Sequence, residues 1–362
     1  MNKPLVDLFF AFIQVSIGTR ERLDHFPSKR EWECLYRLAK MQSITGVTFH
    51  GLELTVASFH CQAPEIFFEW IGSLQYIRNL NNVQKIRSKE ISELFSKAGF
   101  RNCILKGQGT ATYYQNPDDR QSGDIDIWVE GERNQILSYA RTQGYSINSI
   151  DIKHSDIGIF DDVPVEVHFR PSWMYNPATN RRLQRFFHKC VEQQFCNFDS
   201  QRGFTRTTVD FDLVFSMVHI YRHVFSEGIG LRQVMDYFFI LKNSTKAQRE
   251  EAYKVLKPLG MANFVGGIMW ILKISLGMDD DYLLCKPNKK YGTFQLNEIL
   301  ISGNFGMYDN RFLRIEKTKR FKRGFVQFRR NLHFVRYYPT EVLWSPLWKL
   351  WHYCWRKQKG YL

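Results

Sequence analysis

Residues 122–129 read Ser-Gly-Asp-Ile-Asp-Ile-Trp-Val, and this stretch decides the fold class of the 362-residue chain. From Asp124 onward, acidic and apolar residues alternate, which is typical of a half-buried β-strand. Side chains two positions apart on a strand point to the same face, so the sequence places Asp124 and Asp126 side by side. Two neighbouring carboxylates repel each other, and fold stability alone does not favour the pair. A divalent cation does, so the stretch predicts a metal site.

A third carboxylate, which completes most sites of this kind, comes from Val165-Glu166-Val167-His168. Glu166 stands between two valines, so on a strand it faces away from them, toward the open side of the sheet. Carboxylates grouped in this way hold Mg²⁺ or Mn²⁺ in phosphoryl- and nucleotidyl-transfer sites, often as two ions about 3.5–4 Å apart. The sequence therefore predicts Asp124, Asp126 and Glu166 as metal ligands and catalytic residues.

Upstream of the acidic stretch, Lys106-Gly107-Gln108-Gly109 separates a β-prone run from a short helical one. Glycines allow the backbone to approach a phosphate closely, and helix N-termini attract anions. A Lys-Gly-x-Gly turn is a weak signal by itself. Ahead of the acidic pair, it predicts a phosphate-binding turn.

The chain as a whole predicts an α+β fold, with a small mixed β-sheet core flanked by helices. Strands are expected at 102–105, 124–129, 147–153, 157–160 and 164–169. Helices are expected at 66–95, 110–114, 132–143, 210–225 and 231–241. The predicted regions are an N-terminal helical region at 1–98, the core at 99–175, a C-terminal helical region at 176–300 and a basic aromatic tail at 301–362.

These features together resemble the polymerase-β-type nucleotidyltransferase superfamily and, more narrowly, the family of uncharacterised nucleotidyltransferases. The resemblance covers about residues 30–275. It rests on a Leu-Lys-Gly turn, an Arg ahead of the acidic pair, a Glu-x-His strand, and a helical region with His, Leu-Arg and Asp. In this sequence these are Leu105-Lys106-Gly107, Arg120, Glu166-Val167-His168, His219, His223, Leu231-Arg232 and Asp236.

The resemblance implies an enzyme that transfers a nucleoside monophosphate from an NTP to an acceptor and releases pyrophosphate. Asp124 and Asp126 would hold the metal ions and the triphosphate, and Glu166 would be the third ligand and help to deprotonate the acceptor. The residues implied to bind the nucleotide are Lys106, Gly107, Gly109, Arg120, Ser122 and Gly123. The residues of a substrate pocket would be His168, His219, His223 and Arg232.

Three of these side chains also have a structural interpretation. Lys106 can pair with a carboxylate of the fold instead of contacting phosphate. Arg120 can pair with Asp118 or Asp119. His168, one pleat beyond Glu166, can be a buried structural histidine as well as a substrate contact.

The helical region offers similar alternatives. His219 and His223 are four residues apart, a spacing that can bind zinc, but no Glu follows His219 and no third ligand is evident. We therefore expect these histidines to pack or to line a pocket. Arg232 and Asp236 have the spacing of an ordinary helix ion pair.

The formal charge of +14 is concentrated in the tail. From Arg311 to Leu362 there are 14 Lys or Arg against two Glu, whereas the first 310 residues carry about +2. An amphipathic helix is expected around 321–335, and another after Pro339 with a stripe of Trp344, Leu347, Trp348, Trp351 and Trp355. The stripe and its basic flanks suit an anionic membrane surface, packing on the body, or a polyanion.

The composition predicts a cytoplasmic protein, free or peripheral at the inner face of the membrane. Seven scattered cysteines without a C-x-x-C spacing argue against a disulfide framework and a structural zinc site. No window approaches 18 uninterrupted apolar residues, and the N-terminus lacks the features of a secretory signal.

Two functions fit the sequence. The first is a nucleotidyltransferase acting on a small molecule, a sugar phosphate or a protein, with envelope polysaccharide synthesis in bacteria as one context. The second is a non-catalytic nucleotide-binding or scaffold protein docked at the membrane through its tail. Gln108, where the superfamily usually has Ser or Gly, and a long loop before Asp124 favour the second. The near-neutral body argues against a nucleic-acid acceptor, because an RNA track is basic.

Overall fold

The computed structural model describes residues 3–309 and 332–361, together with Arg311 and Arg329. The chain begins with helices α1 Lys3–Ser16, α2 Lys29–Gln42, α3 Thr45–Phe59 and α4 Phe67–Lys97. Helix α2 starts with a capping box: the Glu31 N–H donates to the Ser28 hydroxyl, and the Ser28 N–H donates to the Glu31 carboxylate. This start is encoded locally, by a Ser followed three residues later by a Glu.

Five strands after α4 form one mixed sheet, in the spatial order β1-β2-β5-β4-β3. The strands are β1 Asn102–Ile104, β2 Ile125–Val129, β3 Ser146–Ile150, β4 His154–Gly158 and β5 Val165–His168. Strands β2 and β5 are parallel, and the other neighbours are antiparallel. The connections contain the one-turn helix α5 Gln108–Ala111, a 3₁₀ turn at Pro117–Asp119 and helix α6 Arg133–Thr142. The predicted α+β fold with a small mixed sheet is confirmed.

The two faces of this sheet have different environments. One face is apolar: Ile127 and Val167 are fully buried and pack with Phe95 of α4 and Ile136 of α6. The opposite face carries the acidic residues of β2 and β5. Because side chains alternate along a strand, the covered apolar face fixes which residues point to the other side.

The C-terminal helices are α7 Pro177–Cys196, α8 Val209–Ser226, α9 Leu231–Lys242, α10 Lys246–Leu256, α11 Ala262–Leu276 and α12 Lys289–Ser302. A small hairpin, β6 Phe198–Asp199 and β7 Phe204–Thr205, joins α7 to α8, and 3₁₀ turns lie at Lys257–Leu259, Asp280–Tyr282 and Asn304–Gly306. Gln14 of α1 donates to the Ile274 carbonyl (3.2 Å), and the Leu231 N–H donates to Gln42 of α2 (2.9 Å). The first and last helices therefore share one hydrophobic core.

The last helix, α13 Pro339–Gln358, packs on the body through one face. Its Glu341 is buried and accepts hydrogen bonds from the Tyr175 N–H (2.5 Å) and from Arg222 Nη1 (3.2 Å). The other face exposes apolar side chains: Leu343, Trp344, Leu347, Leu350 and Trp351. Packing thus accounts for one face of this helix, and membrane binding by the other face stays a prediction. Most of the helix predicted around 321–335 lies outside the described residues.

Most element boundaries differ from the sequence predictions by one to three residues, and hydrogen bonds beside the site explain two of these differences. The helix predicted at 110–114 is a single turn that starts earlier, at Gln108, because the Gly109 N–H donates to the Lys106 carbonyl (2.9 Å). Strand β4 begins at His154, three residues before its predicted start, because the Asp151 N–H donates to the His154 carbonyl (2.8 Å) and closes a tight turn. The four-region division of the chain stays a prediction.

Asp212 on α8 gives the fold an expected pH dependence. The Tyr113 hydroxyl (2.8 Å) and the Thr207 hydroxyl (2.6 Å) donate to its carboxylate, but burial raises the pKa of Asp212 to about 7. An Asp in the unfolded chain has a pKa of about 3.9. Each pKa unit of difference between the folded and the unfolded state corresponds to about 1.4 kcal/mol of stability. The unfolded state therefore loses this proton first, and stability falls by up to about 4 kcal/mol as the pH rises from about 4 to about 7.

Urea unfolding at pH 5 and pH 8 should show this loss of stability in the wild type and much less of it in Asp212→Asn. Equal losses in the two proteins would contradict the assignment.

Candidate metal centre

The register of the sheet brings the predicted carboxylates together. Asp126 on β2 lies beside Glu166 on the parallel strand β5, and Asp124 directly precedes β2. One oxygen of each of these three residues lies within 4.8 Å of the others. Three carboxylates grouped in this way could hold a divalent cation.

Asp126 is buried and already paired with two cationic side chains. Lys106 Nζ lies 2.9 Å from one carboxylate oxygen, and His168 Nε2 lies 2.9 Å from the other. Burial by itself would raise the pKa of the Asp126 carboxyl, but Lys106 and His168 hold it below its usual range. Of the two interpretations of Lys106, the structure shows the carboxylate pair.

Asp124 has a different environment. In the described part of the chain, no Lys, Arg or His lies within ion-pair distance of its carboxylate. The negative charge of Asp126, followed by burial, raises the pKa of the Asp124 carboxyl. The like-charge repulsion predicted from the sequence is therefore present, and it is the term that a bound cation would remove. An all-oxygen donor set of this kind fits Mg²⁺ or Mn²⁺.

Glu166 accepts contacts from two imidazoles. His154 Nδ1 lies 3.0 Å and His168 Nε2 lies 3.3 Å from the same oxygen of its carboxylate. Burial opposes ionisation, but the two histidines outweigh it and lower the pKa of the Glu166 carboxyl far below its usual range. A carboxylate held ionised in this way is a good ligand and a weak base.

The sheet face and helices α8, α9 and α13 surround a cleft of about 490 Å³ over these carboxylates. The predicted site residues that line it are Lys106, Gly107, Arg120, Gly123, Asp124, Asp126, Glu166, His168, His219, His223 and Arg232. Gly109 and Ser122 do not line it. A second cavity, of about 520 Å³ beside α2, is lined by none of the predicted site residues.

The Lys106–Gly109 turn presents only its first half to the cleft. Gly107 has a φ of +56°, and a Cβ added there would lie 3.5 Å from the Asp124 carbonyl, so the turn runs against the acidic stretch. Gly109 packs behind the turn, against Ile104. Gln108 is buried and donates to Asn81 of α4 (2.9 Å). The structure thus places neither Gly109 nor the Gln108 side chain where a phosphate in the cleft would contact it.

Arg120 forms an ion pair that the sequence did not predict. Its Nε and Nη2 donate to the two carboxylate oxygens of Asp236, at 2.7 and 2.8 Å. The alternative pairing of Arg120 with Asp118 or Asp119 is not formed, because the 3₁₀ turn that carries these two aspartates packs on α4, where they pair with Lys85 and Arg78. The expected helix pair between Arg232 and Asp236 is also not formed, since Arg120 occupies both oxygens.

Two cationic side chains of the cleft, Arg232 and Lys153, have no carboxylate partner within 4.0 Å in the described part of the chain. Arg232 Nη1 donates to the Gln121 carbonyl (3.0 Å), and its buried Nε has no hydrogen-bond partner. Burial, followed by the charge of Arg120, lowers the pKa of the Arg232 guanidinium. Burial likewise lowers the pKa of the Lys153 ammonium. Buried cations without counterions are costly unless an anionic ligand completes them.

His219 and His223 lie one turn apart on α8, with ring centroids 4.2 Å apart, and both line the cleft. His219 Nε2 is 3.5 Å from Lys106 Nζ, and His223 Nδ1 is 3.6 Å from a Glu227 oxygen. Burial lowers the pKa of both imidazoles. Neither belongs to a metal-binding group of three or more residues in the described part of the chain.

The buried Arg120–Asp236 pair is expected to stabilise the fold. Arg120→Met leaves the Asp236 carboxylate with only the Tyr114 hydroxyl (2.6 Å) as a partner in the described chain. Breaking one side of a buried ion pair costs about 3–5 kcal/mol. Urea unfolding should show a loss of at least about 3 kcal/mol. A loss below about 1 kcal/mol would contradict a structural role for the pair.

Sequence reasoning missed several side chains of the cleft, among them Lys153, His154, Tyr175, Arg222 and Trp348. His154 escaped because β4 was predicted to start after it. In the structure β4 begins at His154, and the register of β4 and β5 places His154 opposite His168. Trp348 was assigned only to the tail stripe, and no local pattern reports that α13 returns to the sheet. Its ring lies 5.1 Å from that of Tyr175, and both residues line the cleft.

Across the described residues, no helix combines the length and the hydropathy needed to span a membrane. Comparison of the sequence with curated proteins gives no match. The profile of a protein family described as uncharacterised nucleotidyltransferase matches residues 28–277, more than two thirds of the chain. This span contains the three carboxylates, the glycine turn and the helices that carry the cleft histidines and Arg232, and it ends before α13. The chain therefore belongs to the family of uncharacterised nucleotidyltransferases.

Proposed function

We propose that this protein is a metal-dependent nucleotidyltransferase that moves a nucleoside monophosphate from an NTP to a hydroxyl or phosphate group of an acceptor. One observation carries the proposal: three carboxylates converge in a cleft that also holds the buried Arg232 and the half-buried Lys153, neither of which has a carboxylate within 4.0 Å in the described part of the chain. A divalent cation would neutralise the carboxylates, and the triphosphate that it binds would neutralise Arg232 and Lys153. Family membership supports the same reaction class.

Asp124, Asp126 and Glu166 would hold Mg²⁺ or Mn²⁺, which stabilises negative charge on phosphate oxygens when bound. Arg232 and Lys153 are placed to neutralise the phosphates by charge-assisted hydrogen bonds. The acceptor oxygen forms a bond to the α-phosphorus, the bond from that phosphorus to the bridging oxygen breaks, and pyrophosphate leaves. A hydroxyl acceptor gives its proton to water. We assign Glu166 to the ligand role and not to the base role, because its carboxyl is held ionised by His154 and His168.

The acceptor is proposed to bind on the side of the cleft formed by Tyr175, Arg222 and Trp348. Arg222 lies over the Tyr175 ring at 3.7 Å and is tied to Glu341 of α13. Tyr175 and Arg222 lie within residues 28–277, whereas Trp348 on α13 contributes to this wall from outside the family match. A sugar phosphate, another small molecule or a protein side chain are the acceptor classes proposed. The exposed apolar face of α13 and the basic tail support docking at an anionic membrane surface on the cytoplasmic side.

Calorimetric titration with ATP, GTP, CTP and UTP, each with and without Mg²⁺ or Mn²⁺, tests the donor side. We expect metal-dependent binding of at least one NTP to the wild type and its loss in Asp124→Asn. Binding of no triphosphate under any of these conditions would reject the proposal.

A second candidate is a protein that binds a nucleotide without turning it over. The observation that favours it is the position of Gln108. Its side chain donates a hydrogen bond to Asn81 and does not line the cleft. The phosphate-binding turn is thereby reduced to Lys106 and Gly107. Metal-dependent NTP binding without release of pyrophosphate, in the presence of a cell extract as a source of acceptors, would select this candidate.

A further inference from the structure

The site holds a second group of potential ligands beside the three carboxylates. His154, Glu166 and His168 each offer one ligand atom, and these atoms lie within 4.8 Å of one another. The antiparallel register of β4 and β5 places His154 directly opposite His168. Glu166 belongs to both groups, so the two groups are adjacent and share one carboxylate.

The spacing in this second group matches a metal coordination sphere. Adjacent ligands of an octahedral ion with bonds of about 2.1 Å lie about 3.0 Å apart. Glu166 Oε2 lies 3.0 Å from His154 Nδ1 and 3.3 Å from His168 Nε2, and the two ring nitrogens lie within 4.8 Å of each other. The three ligand atoms thus converge from two neighbouring strands, β4 and β5, onto one region of the cleft.

The orientation of His168 is an independent observation that points to a ligand. Its other ring nitrogen, Nδ1, lies 3.3 Å from the Arg170 carbonyl, which can only accept a hydrogen bond. The Nδ1–H therefore donates to this carbonyl, and Nε2 faces Asp126 and Glu166, to which it donates in this structure. A bound cation would take the place of that proton at Nε2. Metal-binding histidines are commonly fixed in this way, because the bond at one nitrogen sets the tautomer that presents a lone pair at the other.

We propose that His154 Nδ1, His168 Nε2 and the Glu166 carboxylate form a second cation position, with mixed nitrogen and oxygen ligands, beside the all-oxygen position of the carboxylates. The inference rests on the proposed function for the identity of the neighbouring position only. Imidazole suits transition metals and is a poor ligand for Mg²⁺. The second position is therefore expected to prefer a transition ion over Mg²⁺, whereas the first accepts Mg²⁺. Mn²⁺, the weakest binder among these transition ions, serves as the paramagnetic probe.

Pulsed electron paramagnetic resonance on the full-length protein tests this directly. One equivalent of Mn²⁺ is added in the presence of excess Mg²⁺, so that Mg²⁺ fills the all-oxygen position. We expect nitrogen couplings to the bound Mn²⁺, and their replacement by ¹⁵N couplings when histidine is labelled with ¹⁵N. His154→Gln should lower the Mn²⁺ affinity at least tenfold and alter the couplings. His223→Gln, a cleft histidine outside the group, should retain both.

The outcomes separate this inference from the proposed function. Bound Mn²⁺ with oxygen and water ligands alone in the wild type would overturn the second position, whether or not the variants fold. Nitrogen couplings that are unchanged in His154→Gln would overturn the three-ligand group. The calorimetric NTP titration is read independently, so a negative result here with intact NTP binding leaves the proposed function standing.

Discussion

Asp124→Asn is expected to lower metal-dependent pyrophosphate release at least about 1,000-fold while leaving the fold as stable as the wild type. The loss corresponds to about 4 kcal/mol, within the range that metal-ion stabilisation of transition-state charge provides. Stability is preserved because, in the described part of the chain, no cation lies within ion-pair distance of the Asp124 carboxylate, and its repulsion from Asp126 disappears. Pyrophosphate release from the preferred NTP, followed with a coupled assay beside urea unfolding, measures both quantities.

The choice of Asp124 over Asp126 follows from the structure. Removing the Asp126 carboxylate leaves Lys106 and His168 without this ion-pair partner. A lower activity of that variant would therefore reflect a lower stability as well as a lost metal ligand. Asp210→Asn is the matched control, since it makes the same charge change on α8 outside the cleft. Turnover in Asp124→Asn within tenfold of the wild type would sink the mechanism.

The sequence was informative where local chemistry decides the structure. The alternation in residues 122–129 and the two valines around Glu166 predicted the carboxylate cluster, because side-chain alternation and apolar burial leave no other face for these carboxylates. The helices around 210–225 and 231–241 were likewise predicted from a local pattern, the spacing of their apolar residues.

The rest of the site depends on long-range pairing, which no local pattern encodes. Asp236 was assigned to Arg232 by helix spacing, but in the folded chain it binds Arg120 from the loop before β2. His154 and Trp348 reach the cleft only because β4 starts early and α13 returns to the body. Tertiary contacts thus pair Asp236 with Arg120 and leave Arg232 without the helix ion pair that its spacing predicts.

Arg232→Met is expected to weaken NTP binding about 10- to 100-fold and to leave stability unchanged or slightly higher. Charge-assisted hydrogen bonds contribute about 1.5–3 kcal/mol each, which sets the size of the binding loss. The stability effect has the opposite sign to that of Arg120→Met, because the buried Arg232 guanidinium has no carboxylate within 4.0 Å among the described residues and methionine removes its desolvation cost. Calorimetry with the preferred NTP and Mn²⁺, together with urea unfolding of both variants, separates the two guanidinium groups.

A loss of stability in Arg232→Met as large as that in Arg120→Met would show that Arg232 is a structural cation. Unchanged NTP affinity would show that the triphosphate lies elsewhere in the cleft. The expected combination, weaker binding in a protein that is no less stable, follows only if the fold keeps a buried charge for a ligand that carries the missing anion. This trade of stability for affinity is the property that distinguishes a nucleotide site from a carboxylate cluster held together by its own cations.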